Sequence, residues 1–172
     1  RRIAVILTSI ISLGLLTIFI FYTLVPKHEY FIEKGSVGLI IRADNEIESN
    51  ILKTGTHSVS VRDTVLIYSI TNLRIGEEFE TLYENDIIRP ISVYLKYDIF
   101  PDSVPELHEQ FGKEYRERLV VPELRASVRE YTQSLSFDSI EIHDMAEIIK
   151  DKMNGISYLS KYLIITELSI RN

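Results

Sequence analysis

The chain has 172 residues, 19 of them basic and 25 acidic, with 45% hydrophobic residues and neither cysteine nor tryptophan. The lack of cysteine excludes disulfides, a catalytic thiol and thiolate-bound zinc. Beyond residue 25 the balance is 17 basic against 25 acidic residues, or −8, which argues against nucleic acid, whose phosphates need a basic face, and against broad adhesion to anionic lipid.

The first element is an uncharged run from Ile3 to Val25, with Arg1 and Arg2 before it and Pro26, Lys27, His28 and Glu29 after it. As a helix rising about 1.5 Å per residue it reaches roughly 35 Å, enough to cross a hydrocarbon core of about 30 Å. It is longer than the apolar core of a signal peptide, and Phe21 to Pro26 offers no small-residue cleavage site. It also lacks the polar face of a surface helix. A transmembrane anchor over residues 1–25 is therefore expected. Arg1 and Arg2 orient the short N-terminal side towards the cytoplasm or matrix, with the soluble part outside an inner membrane, bacterial or mitochondrial.

Residues 26–172 are long enough for one domain or two small, closely packed ones. A tether from Pro26 to Gly35 leads into strands. Val37, Leu39 and Ile41 alternate with polar or small residues; Ala43 to Asn50 is a polar stretch; Thr54-Gly55-Thr56 signals a turn. Val59 and Val61 resume the alternation, Val65, Ile67 and Ile70 suggest another strand, and Asn72 to Glu78 is expected as a loop. The clearest strand is 91–99, with Ile91, Val93, Leu95, Tyr97 and Ile99 on one face and Pro90 and Pro101 as its bounds.

Helices follow. Val104 to Phe111 predicts a short one stopped by Gly112. Val120, Leu124, Val128, Tyr131 and Leu135 form a stripe at steps of three and four, with Pro122 in a first turn or at a kink. A third helix carries Ile142, Met145, Ile148, Ile149 and Met153 and stops at Asn154-Gly155. In the last strand Ile164, Thr166, Leu168 and Ile170 face one way, and Ile165, Glu167, Ser169 and Arg171 the other. The order predicts an α+β fold with a mixed or antiparallel sheet, strand-rich over about 30–85 and α/β over about 86–172.

No catalytic, cofactor-binding or metal-ligating residue is predicted. His28, His57, His108 and His143 show no metal-ligand spacing. Gly35-Ser36-Val37-Gly38 falls short of a nucleophile elbow, and no glycine-rich phosphate loop occurs. Glu77-Glu78 reads as solvated charge rather than a dyad. On the long helical region Glu114 and Arg118 are spaced as a helix-surface pair. Arg118, Arg125 and Arg129 gather along one side with Glu117, Glu123 and Glu130 interleaved, either an ordinary solvated face or a charged surface for self-association.

After the apolar run come Lys34-Gly35-Ser36-Val37-Gly38-Leu39-Ile40, Leu52 to His57, the alternating strand at 91–99, Phe111 to Arg118, Val121-Pro122-Glu123-Leu124-Arg125 and Val128-Arg129. This pattern resembles the SPFH (band 7) domain of stomatins, prohibitins and flotillins, and the segment Gly112 to Arg129 most resembles a prohibitin. The run lacks the central proline of stomatin-type hairpins, which favours a true crossing. The resemblance implies a non-enzymatic membrane scaffold without cofactors. Its domains, identical or from a close paralogue, would join into a large ring or cage that organises membrane lipid and encloses or restrains an AAA-type membrane protease. A single-anchor extracytoplasmic sensor or ligand-binding domain is the alternative.

Overall fold

The computed structural model describes residues 12–17, 26–83, 86–134 and 142–171. Among the described residues no helix is long and apolar enough to cross a membrane. Of the run Ile3–Val25, residues 12–17 are helical and the rest lies outside the described residues.

The expected α+β arrangement is present, built from antiparallel sheets with helices packed on them. The tether is not. Strand β1 (Lys27–Ile32) starts directly after Pro26 and pairs antiparallel with β4 (Gly55–Ser60), from Lys27↔Ser60 to Ile32↔Gly55. Only Ile32 of β1 is buried, so the strand carries almost no hydrophobic periodicity to announce it. The Val61 N–H donates to the Pro26 carbonyl at 3.1 Å and closes the end of this ribbon.

A second antiparallel sheet has the order β3-β2-β5, from β2 (Ser36–Ile41), β3 (Ile47–Leu52) and β5 (Thr64–Ser69). β3 runs through Glu48, Ser49 and Asn50, residues expected in a polar stretch. A turn with Asn45 at φ 66° sets it up, and Arg42 pairs with Glu48 at 3.0 Å. One face of this sheet sends Val37, Leu39 and Tyr68 into the main core. The other meets the β1–β4 ribbon at Gly38. A Cβ there would sit 3.0 Å from Ile32 Cδ1, 3.1 Å from Leu52 Cβ and 3.2 Å from Val65 Cγ1. Glycine at 38 is thus what lets Ile32 bury completely.

The third sheet has the order β6-β7-β8, from β6 (Leu73–Leu82), β7 (Ile88–Ile99) and β8 (Leu163–Arg171). β6 replaces the loop expected at Asn72 to Glu78. Its pattern was obscured because Gly76 lies on the solvent face and Glu77 and Thr81 on the inner one. On β7 the five predicted inward residues are all buried. The strand starts earlier than predicted and includes Pro90, opposite Glu80. Pairing with β8 begins only at Ser92, so on that side the proline interrupts no ladder.

On β8 the predicted faces are wrong in the first half. The register shifts between Lys96 and Tyr97, leaving Thr166 as an extra residue whose Oγ1 donates to the Lys96 carbonyl at 3.1 Å. Leu163, Ile165, Leu168 and Ile170 therefore face the core, and Ile164 is exposed.

Among the described residues three helices complete the domain. α1 (Val104–Phe111) ends as predicted at Gly112, whose φ of 69° is the left-handed turn that glycine tolerates. A 3₁₀ turn and a π-turn over Arg116–Val120 lead into α2 (Val121–Gln133), with Pro122 in its first turn as expected. Val120, Leu124 and Val128 are fully buried; Leu135 lies outside the described residues. α3 (Ile142–Gly155) seats Met145, Ile149 and Met153, whereas Ile148 is 45% exposed. α2 lies on β6, α3 on β8, and α1 on β3, so one hydrophobic cluster joins the second and third sheets with the helices.

Asn154 does more than stop a helix. Its side-chain Oδ1 accepts the Ile165 N–H at 2.8 Å, and its Nδ2 donates to the Ile165 carbonyl at 3.1 Å. A residue's N–H and C=O point to one side of a strand, so both groups point away from β7 and the amide stands in for a further strand. Replacing Asn154 by Ala strands both backbone groups. We expect a loss of about 1–3 kcal/mol, read from the denaturation midpoint of the full chain at unchanged m value.

Candidate interaction surface

Among the described residues the helices cover only one face of the β6-β7-β8 sheet. The other face is bare and consists of cross-strand rows. One is Arg74–Lys96–Glu167, the next Gly76–Tyr94–Ser169, the third Glu78–Ser92–Arg171. Lys96 reaches Glu167 at 3.4 Å, and the Arg171 guanidinium lies 5.4 Å from the Tyr94 ring centre. Because Gly76 has no side chain, a shallow groove of about 390 Å³ opens above it between Arg74, Tyr94, Lys96 and Ser169.

The basic stripe expected along the helical region divides in two. Arg125 forms an ion pair with Glu77 at 2.5 Å, and both Arg125 and Arg129 stack over Phe79, at 5.8 and 5.7 Å from the ring centre. Arg118 instead donates to the Phe111 carbonyl at 3.4 Å. Glu130 pairs with Lys152 of α3 at 2.6 Å. Glu123 holds the Tyr158 hydroxyl, a hydrogen bond that raises the phenol pKa to about 12. Arg116, which no sequence pattern singled out, reaches across to the Arg74 carbonyl at 3.0 Å.

Glu77 and Glu78 face opposite sides of β6, since neighbouring strand residues alternate, so they do not form a dyad. Thr81 donates to Thr132, 2.6 Å away, and the Thr132 hydroxyl donates to the Arg129 carbonyl at 3.1 Å. Every polar inward position of β6 is thus matched by α2.

The histidines lie apart. His28 is on β1, and His57 on β4, where its Nε2 lies 2.6 Å from the Lys53 carbonyl. His108 is on α1, and the side chain of His143 lies outside the described residues. Among the described residues no group of three or more His, Asp or Glu side chains could hold a metal ion.

His108, itself half-buried, instead joins a buried aromatic group. Its Nδ1 lies 2.5 Å from the Tyr68 hydroxyl, whose ring meets Tyr115, and Tyr115 in turn approaches the Tyr97 hydroxyl at 3.5 Å. Burial, then Lys113, lowers the His108 pKa against the opposing pull of Glu114. Burial, with Tyr115 and Glu114, pushes Tyr68 up to about 12. The cluster ties β5, α1 and β7 together with both groups neutral.

A sequence profile of the SPFH domain / Band 7 family matches residues 30–172, from within β1 through β8. The chain belongs to this family. Its members are generally non-enzymatic scaffolds, and the match agrees with the SPFH resemblance of the chain. A search among curated proteins finds no match.

The lowered His108 pKa sets a pH dependence. A folded-state value below the unfolded one, about 6.5, favours the neutral ring, so its contribution is intact above that pH and is lost as pH falls through the folded value. Thermal midpoints of the full chain should therefore drop between pH 7.5 and 5.5. His108→Gln, which keeps a hydrogen-bonding partner for Tyr68 and cannot ionise, should flatten that drop; an unchanged slope would contradict the assignment.

Proposed function

We propose that this SPFH-family protein is a prohibitin-type membrane scaffold whose domains assemble side by side into a large ring or cage on one membrane. It organises the surrounding lipid and encloses or restrains an AAA-type membrane protease. The soluble domain is extracytoplasmic, at a bacterial or mitochondrial inner membrane.

The observation that carries this reading is the start of β1 at Lys27, two residues past the apolar run. A span ending at Val25 leaves Pro26 at the bilayer surface. The Val61–Pro26 bond then brings the β4–β5 turn to the same depth, and the Ala43 N–H bond to Asp63 at 3.3 Å brings the β2–β3 turn beside it. The domain has almost no free chain with which to stand away from the lipid. Domains confined in this way share a plane and an orientation, so weak lateral contacts act at high effective concentration. Family membership supports the scaffold role over catalysis.

Gentle detergent extraction of full-length protein, followed by native sizing and electron microscopy, tests the reading. Large closed particles are expected; a clean monomer across the usable concentration range would sink it.

A further inference from the structure

The two edges of the β6-β7-β8 sheet carry opposite charge patterns. At the β6 edge the exposed ends of two rows are Arg74 and Glu78; at the β8 edge the same rows end in Glu167 and Arg171. Both outer strands run antiparallel to β7 and hence parallel to each other. A neighbouring copy translated along the sheet would therefore set Arg74 beside Glu167 and Glu78 beside Arg171.

The helical layer repeats the relation. Asn154 marks the side of α3 that overhangs the β8 edge, through its bonds to Ile165. Residues at helical steps from it on that side are Asp151, Glu147 and Asp144, all exposed and acidic. Over β6 the corresponding side of α2 carries Arg125 and Arg129 above Phe79. Among the described residues Arg129, Glu78, Asp144, Glu147 and Asp151 have no ion-pair partner within the chain. Arg74 faces only the like charge of Lys96 across the ladder.

We propose that a second copy of this chain docks head to tail here, the β6–α2 edge of one domain against the β8–α3 edge of the next. The contact is made by side chains rather than by strand addition, because Asn154 already occupies the Ile165 backbone and Arg116 the Arg74 carbonyl. Such an interface is heterologous, so it propagates through successive copies and closes into a ring when the rotation per step allows. This inference rests on the side-by-side assembly proposed above and names the surfaces that perform it.

A charge-swap series in full-length, detergent-solubilised protein tests it. Reversing the β6 edge alone, Arg74→Glu with Glu78→Arg, places like charges together and should raise the concentration needed for assembly by about tenfold or more. Reversing the β8 edge alone, Glu167→Arg with Arg171→Glu, should do the same. Combining all four reversals should restore assembly. Arg129→Glu, rescued by Glu147→Arg, repeats the test in the helical layer if a sheet variant does not fold by circular dichroism. Wild-type oligomers indifferent to every folded reversal would overturn the proposed surface and leave the scaffold reading standing. A monomeric wild type would instead remove the assembly on which both depend.

Discussion

The structure hangs on the strict alternation of β7. Ile91, Val93, Leu95, Tyr97 and Ile99 are each at most 3% exposed, and they lie on the central strand of the third sheet. Burying such residues contributes about 1.5–3 kcal/mol each, which no surface ion pair approaches. β6 and β8 take their register from this strand, α2 and α3 cover its apolar face, and its last residue bonds through Ile99 N–H to the Ile70 carbonyl at 2.8 Å, where β5 leaves the second sheet. The two halves are thereby packed on one core.

That one-sidedness shapes the surfaces. A sheet covered by helices on one face leaves the other to solvent, and here the bare face is polar, with mixed charges rather than an apolar patch. Both outer strands are guarded by side chains from the helical layer. The domain is therefore unsuited to indiscriminate edge pairing.

Where one physical signal dominated, the sequence was readable. β7 announced itself because every second residue is apolar, and α1 and α2 because Gly112 and Pro122 mark an end and a first turn. β6 was hidden because its inward Glu77 and Thr81 are satisfied by Arg125 and Thr132, partners about fifty residues away. In the first half of β8 the observed faces are the reverse of the expected ones because one extra residue, Thr166, shifts the phase and has no compositional mark. A ribbon buried through Ile32 alone shows no period, so in the sequence β1 reads as a tether. The predicted arginine stripe likewise depended on which way long side chains turn, and Phe79 drew two of them together while Arg118 went elsewhere. No pattern within α1 foretold that His108 meets Tyr68, a contact between residues forty apart.

With β1 starting at Lys27 in place of a tether, little free chain separates the apolar run from the domain. If Ile3–Val25 spans the bilayer, the domain does not swing on a leash; it is fixed to the surface from its first strand, and the Pro26–Val61 bond sets which turns face lipid. The chain has no native cysteine, so a single nitroxide at Val61→Cys reports this directly. In reconstituted full-length protein the label should show the oxygen and metal-complex collision pattern of the headgroup region, while one at Ile88→Cys on the β6–β7 tip should report bulk water. Equal, water-like accessibility at both positions would contradict the account.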